Sequence, residues 1–365
     1  MKSIIQLISL LILSSCVKTN RGQAILDVTN SNVGTGNLSE LLLDYKIIPL
    51  ETNNDCIIGD MSKYICAYDY IYVSSSNEIL KFDLDGNFCG KLTRVGNGPT
   101  EYLKINDFEV IMRQDKVEIL VAHPRGITRY DASSFDYIDE TFIPYSVLQF
   151  KYITDNSIII VTPNDYTFYL TDLYGNLRQP TVKNDPANLS HQLVQFTEID
   201  GNIYYLICGT DEALQYDILT DQISVVKFVN GVENVLTRKN NIRYMRQYGY
   251  VQQPQRTQED FTTIVTAQQC NNRTLLFTRS ATEEKMWIRN DNTGEWKDYL
   301  IFPDPEVIND IFENVPLRYL ITMVSNYSYN SFMQIIPAEI LEGLNINNRQ
   351  IRIDDNPVIM AYYIR

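Results

Sequence analysis

The chain has 365 residues, with 31 Lys and Arg against 45 Asp and Glu, and a formal net charge of -14. That balance argues against a general nucleic-acid binder, which needs basic surface to displace counterions from phosphates. Hydrophobic residues at 44% and charged ones at 21% fit a globular chain, and 10 Ala against 25 Tyr and 14 Phe point away from helices and toward strands.

The first element is an export signal. Met1 and Lys2 give a short positive start, and residues 4–13 form an apolar run broken only by Gln6 and Ser9. Ser14 and Ser15 then precede Cys16. This is the layout of a secretory signal, too short for a comfortable membrane span. The tetrapeptide Leu13-Ser14-Ser15-Cys16 resembles a bacterial lipobox. The resemblance implies that residues 1–15 are removed and that Cys16 carries lipid on its thiol and on the new amino group. More than one acyl chain gives firm anchoring. The mature chain would keep 350 residues and a charge of about -15. Residues 16–43 begin polar and rich in Asn, Gly and Thr, as expected of a flexible tether. Val17-Lys18-Thr19-Asn20 lacks the acidic residues that mark surface export in some gram-negative lipoproteins, which favours the periplasmic face.

From residue 44 to the end the chain repeats itself. An apolar strand runs into an Asp, a turn follows, and a second strand leaves. Copies surround Asp83, Asp131, Asp172 and Asp217, with a weaker one around Asp291. The first four Asp residues are 41–48 apart, the size of one propeller blade, and the last interval holds roughly thirty residues more. Each Asp is expected to open a hairpin whose tip needs positive φ, supplied by Gly86, Gly175, Gly294 or an Asn or Asp. A calcium-loop reading is the weaker alternative to a hairpin turn, because neither Asp83–Asn87 nor Asn290–Gly294 has the six-position spacing or the terminal Glu. Upstream of each copy lies another pair of apolar strands, as in Tyr64–Ser76, Asp107–Ala122, Phe150–Pro163, Phe196–Cys208 and Ile264–Arg279.

Four strands per unit and about forty-five residues per unit give an all-β fold, a six-bladed β-propeller of antiparallel blades. Segments 318–337 and 356–365 supply the sixth blade, and the early strand 44–51 is expected to complete its sheet and close the ring. An insertion over about 230–258 is strongly polar and basic for this chain, and reads as a loop or short helix. Pro337–Asn345 is the other expected helical turn.

Ile47–Thr52, the strand pair around Asp83, the segment Arg94–Phe108 and the C-terminal 354–365 together resemble the bacterial six-bladed β-propeller lipoproteins related to NHL-repeat propellers. The likeness covers essentially the whole mature chain. Its most distinctive part is Gly-x-Gly-Pro-x-Glu-Tyr, here Gly96 to Tyr102, where Thr100 replaces the usual Gly after Pro99. The resemblance implies the fold and an envelope location, and little about chemistry.

Catalytic motifs are mostly absent: no nucleophile elbow, zincin, Walker or dinucleotide signature is present. Only His123 and His191 are available, which disfavours a His-rich metal centre, and His123 beside Pro124 reads as structural. Besides Cys16 there are five cysteines, an odd number without metal-ligand spacing, expected as small buried hydrophobes. Two candidate ligand-binding sets stand out. In the first, Gly96 and Gly98 allow positive φ or close approach, Arg94 can pair with a carboxylate, and Glu101 and Tyr102 offer an acceptor and a stacking ring. The competing reading ties adjacent blades together through the same residues. The second set is Tyr244, Tyr248 and Tyr250 in the insertion, with Arg243, Arg246 and Arg256 beside them.

Two functions from different classes follow. One is a lipid-anchored envelope module that binds a glycan, peptide or envelope protein without catalysis, with no cofactor and no nucleic acid. The other is an envelope lactonase, glycosidase or lyase using channel carboxylates and Ca²⁺.

Overall fold

The computed structural model describes residues 23–163, 166–178, 182–183, 196–207, 209–248, 261–312, 315–321 and 331–365. Four four-stranded antiparallel sheets follow one another along the chain, then a fifth whose four antiparallel strands carry one added parallel strand from the N-terminal segment. Blade 1 is Met61–Ala67, Tyr70–Ser75, Glu78–Asp83 and Phe88–Leu92, and blade 2 is Asp107–Arg113, Lys116–His123, Gly126–Asp131 and Tyr137–Phe142. Blade 3 spans Gln149 to Lys183, blade 4 Phe196 to Lys227, and blade 5 Thr263 to Phe302. In the sixth, Phe332–Ile336 pairs with Val358–Ile364, which pairs in turn with the N-terminal strand Leu42–Pro49. The ring is closed by the strand that the sequence assigned to this role, beginning two residues earlier than expected.

Each blade is sandwiched between two others, so its middle strands are apolar on both faces. Ser157–Val161 is buried at every position, and a strand buried on both sides reads as a continuous apolar run rather than an alternation. The described core divides into six apolar clusters, one at each blade-to-blade interface. Cluster six-to-one joins Ile48, Ile335 and Ile359 to Tyr64, Ile71 and Phe82, and so spans the closure.

The repeated Asp works as a turn clamp. Asp83 Oδ1 accepts the N–H groups of Asp85 and Asn87 at 2.9 and 2.8 Å, and Asp172 accepts those of Tyr174 and Asn176 in the same way. Asp131 takes the N–H of Ser133 and Ser134 plus the Ser133 hydroxyl. These bonds, led by the Ser133 hydroxyl, hold its carboxyl down at about 2. Asp217 accepts from Leu219 and Thr220. The fifth copy is shifted by one residue: Asn290, not Asp291, caps the turn through Asn292 N–H at 3.1 Å. Asp291 instead binds Arg289, Gln269 and Thr274 on its own blade.

Residues 26–43, expected to belong to a flexible tether, are instead bound to the body of the fold. From Leu26 the chain is a strap that pairs with the outer strand of blade 5 and with the short segments just before and after that blade. Leu26–Asp27 pairs in parallel with Val229–Asn230, and Asn32–Val33 with Lys297–Asp298 of blade 5. Gly36–Asn37 then pairs with Val307–Ile308. Leu26, Val28 and Leu38 are fully buried by this arrangement. The insertion carries an 11-residue helix, Arg238–Tyr248, and Pro337–Asn345 contains the 3-10 turn Ala338–Leu341.

Closure also fixes Gly86. Its φ is +88°, and a Cβ there would collide with the carbonyl oxygen of Pro49 on the closing strand. Gly201, at φ +73°, has open space around it. Gly201→Ala is expected to cost about 1–2 kcal/mol of backbone strain, and Gly86→Ala about 3 kcal/mol or more because the closing strand must shift. Urea midpoints of the two variants measure the difference.

Candidate functional site

Residues 93–106 connect the outer strand of blade 1 to the first strand of blade 2. Gly96 N–H bonds to Tyr102 O at 3.0 Å and Tyr102 N–H to Arg94 O at 2.9 Å, which folds the segment into a tight loop. The Glu101 carboxylate turns inward and accepts Gly98 N–H at 2.7 Å. A Cβ on Gly96 would collide with that same carboxylate oxygen. Neither Gly96 nor Gly98 has positive φ, so these glycines serve close approach rather than left-handed backbone. Thr100 also lies outside the positive-φ region, and its carbonyl accepts the Tyr130 hydroxyl at 3.0 Å.

Tyr102 does not offer a stacking ring. It is 0% exposed, meets Tyr130 edge to face at 6.1 Å, and donates its hydroxyl to Asn77 O at 3.1 Å. Burial pushes the phenol up to about 12. Arg94 reaches Phe135 O at 3.5 Å and Asp136 at 3.8 Å, both in blade 2. Arg125 of blade 2 returns the contact by donating to Glu101 O at 2.8 Å. The segment is a clasp between blades 1 and 2, the competing reading of these residues.

At the axis, the first strands of neighbouring blades lie side by side, each with an edge that lacks a ladder partner. Side chains from the preceding blade satisfy those edges. Asp107 of blade 2 accepts Phe150 N–H of blade 3 at 3.0 Å, and Glu109 accepts Tyr152 N–H at 2.9 Å. Lys63 of blade 1 pairs with Asp107 at 2.8 Å, and Lys151 of blade 3 with Glu109 at 3.3 Å. Thr197 of blade 4 donates to Ala267 O of blade 5 at 2.6 Å. A hollow of about 300 Å³ opens here, where Ile65, Ile111, Ile153 and Ile203 surround Glu109, Lys151 and the exposed Glu198. No group of three or more His, Cys, Asp or Glu among the described residues is arranged to hold a metal ion.

His123 is fully buried on blade 2. Its Nδ1 accepts Arg125 N–H at 3.3 Å, so the neutral ring carries its proton on Nε2, 2.8 Å from Thr128 Oγ1. Burial, and then the nearby Arg125 charge, hold it down at about 4, although Glu140 Oε1 lies 3.5 Å away. Its role is structural. His191, Cys16, Cys208, Tyr250 and Arg256 lie outside the described residues. Tyr244 and Tyr248 stand one turn apart in the insertion helix. Of the described cysteines, Cys56 and Cys270 are buried, Cys66 is half-buried and Cys89 is exposed, and none is in a disulfide.

A second hollow, of about 500 Å³, lies at the rim rather than the axis. Three separate parts of the chain build it: the strap (Val28, Thr29, Ser31), the start of the insertion (Gly231 to Asn234) and the outer half of blade 5. Asp298 and Trp287 are cross-strand partners on blade 5, and both line the hollow. Lys285 lies two residues from Trp287 with Nζ 5.9 Å from its ring, and pairs loosely with the exposed Glu283 at 3.8 Å. The Trp287 indole donates to Thr278 Oγ1 at 3.1 Å. The strap is fixed at this point because Gly34 N–H bonds to Asp298 O at 2.8 Å. None of these residues stood out in the sequence. The available signal was an acidic residue, Asp298, in phase with the buried Trp296 on one strand.

The fold and this geometry define a six-bladed β-propeller in which Lys63, Asp107, Glu109 and Lys151 are engaged between blades near the axis and a larger polar hollow opens at the rim. The chain belongs to the family described as "Domain of unknown function (DUF4934)", which matches residues 24–363. No curated protein matches it in sequence. Among solved structures, it is similar to a candidate exported protein of Bacteroides fragilis, with a TM-score of 0.71 at 14% identity over 93% of this chain and 99% of that one. It is also similar to a DUF4221 family member from Bacteroides vulgatus, with a TM-score of 0.54 at 12% identity over 89% and 97% of the two chains.

Two measurements test this assignment of roles. In Gly96→Ala the Glu101 carboxylate must swing off Gly98, at a cost of about 1–2 kcal/mol. In a Glu101→Ala background the same change is expected to cost far less, so a double-mutant cycle returns a coupling near that size. The second concerns pH. His123 binds its proton less readily folded, at about 4, than unfolded, at about 6.5. Its contribution is therefore full above about pH 6.5 and is lost as pH falls toward 4, roughly 2 kcal/mol between pH 7.5 and pH 5. His123→Gln is expected to flatten that part of the stability curve measured by urea unfolding.

Proposed function

We propose that this protein is a lipid-anchored, non-enzymatic binding module of a gram-negative cell envelope, held on the periplasmic face and presenting its rim to a glycan, peptide or envelope protein. The observation that carries the reading is the contrast between axis and rim. At the axis, Lys63, Asp107, Glu109 and Lys151 are engaged in holding blades together. At the rim, an open hollow of about 500 Å³ falls within the ~300–1,000 Å³ of small-molecule sites.

The signal-like start and Cys16 support anchoring, and the structural neighbour from Bacteroides fragilis is itself a candidate exported protein. The strap is bonded to the body from Ile25 onward, through Ile25 N–H to Lys227 O at 3.2 Å. About nine residues therefore separate Cys16 from the propeller, a reach of roughly 30 Å. The rim bearing the hollow would ride close to the membrane.

Metabolic labelling with an alkyne-bearing fatty acid, followed by fractionation, tests the anchor. The wild-type chain is expected in the membrane pellet with label, and Cys16→Ser in the soluble fraction without it. Pull-down of the mature chain from envelope extract and a glycan array then test the binding role. No capture in either, together with a marked rise in melting temperature on adding Ca²⁺, would favour the calcium-assisted enzyme instead.

A further inference from the structure

We infer that the rim hollow between the strap, the insertion and blade 5 is a binding site for a neutral saccharide, with Asp298 accepting ligand hydroxyls at its floor. The inference rests on the binding-module reading and names the ligand class of that module.

Asp298 carries most of the argument. It is 8% exposed, it lines the hollow, and no hydrogen bond or ion pair reaches its carboxylate among the described residues. Every other buried carboxylate among the described residues has a cation partner, although Asp211 and Glu284 each leave one oxygen without a hydrogen bond. Asp107 and Glu109 each take a lysine and a backbone N–H, and Glu118 takes Arg129 at 3.1 Å. The Asp298 oxygens are not among the buried unpartnered atoms and so keep contact with solvent in the hollow, where an acceptor without a protein partner is free to take a donor from an entering ligand. The strap is built around this point, since Asn32–Val33 pairs with Lys297–Asp298.

The surroundings select the ligand. Glu233, Glu283 and Asp298 outnumber the single Lys285 in the lining, so phosphate- or uronate-bearing ligands are repelled. The three carboxylates are not gathered as a metal site, which disfavours a bare cation. Ser31, Thr262 and Thr278 add hydroxyls that can both donate and accept. A ligand dense in hydroxyls and without charge fits that set, with O–H groups donating to Asp298 and Glu283. Lys285 Nζ is the charged donor available to a ring or hydroxyl oxygen.

Calorimetry on the mature, acylated chain in detergent provides the test. The probes are neutral di- to tetrasaccharides, their uronate-bearing counterparts and spermidine. At least one neutral saccharide is expected to bind, with affinity reduced tenfold or more in Asp298→Leu and in Glu283→Gln. Because Asp298 lacks a partner in the free protein, Asp298→Leu and Asp298→Asn should melt at the wild-type temperature or above it. Lower melting temperatures in both variants would mean that the carboxylate serves the fold, and would overturn the assignment. So would preferential binding of uronates or spermidine, or saccharide binding indifferent to Asp298→Leu. A protein captured from the envelope at another face, with no saccharide bound, would overturn this inference and leave the module reading standing. Failure of both would remove both.

Discussion

Everything else in this propeller depends on the pairing of its two ends. Seven register pairs, from Leu42 with Ile364 to Pro49 with Val358, make the N-terminal strand the outer strand of the last blade. Without that strand, blade 6 would expose an unpaired edge. Asn356, nearly fully buried, locks the junction by donating to Glu51 O and Cys56 O while accepting Ile58 N–H. Arg349 adds bonds to Leu50 O, Thr52 and Asp355. The Glu51 carboxylate then reaches forward to accept Phe88 N–H of blade 1, so closure through its backbone carbonyl and the start of the ring through its side chain share one residue.

A closed ring of blades packed on both faces leaves few places for chemistry. The axis is lined by first strands whose free edges must be satisfied, and Asp107, Glu109 and Thr197 do this from one blade to the next. Groups used in that way are poorly placed to serve a ligand as well. At the rim the constraint is relaxed, because the strap and the insertion meet blade 5 only along short pairings and leave a gap over Trp287 and Asp298. The hollow is thus a by-product of how the N-terminal segment is secured.

The fold was legible because propeller blades repeat the same physical problem. The Asp clamp appears at Asp83, Asp131, Asp172 and Asp217 since each tight turn has the same donors to satisfy. The fifth copy misled by one residue because Asn290 and Asp291 are adjacent and either can cap a turn. The strap was read as tether because two-residue parallel pairings have no periodicity to detect. Tyr102 was read as available for stacking because a linker residue's side is set by tertiary packing, here against Tyr130 and Asn77. The rim hollow was illegible for a related reason: Thr29, Glu233, Lys285 and Asp298 are far apart in sequence, and only the ring assembles them.

The closure strand also dictates a temporal order. Blades 1 to 4, and the four antiparallel strands of blade 5, pair strands that are neighbours in the chain, and each can form as soon as it is made. Ile48 has to find Ile359, 311 positions downstream, a loop whose entropy is recovered only when the final strand is in place. Until then residues 42–49 stay without their ladder partner, beside a fully buried core in the making. Sealing of blade 6 is therefore expected to be the slow and last event in folding.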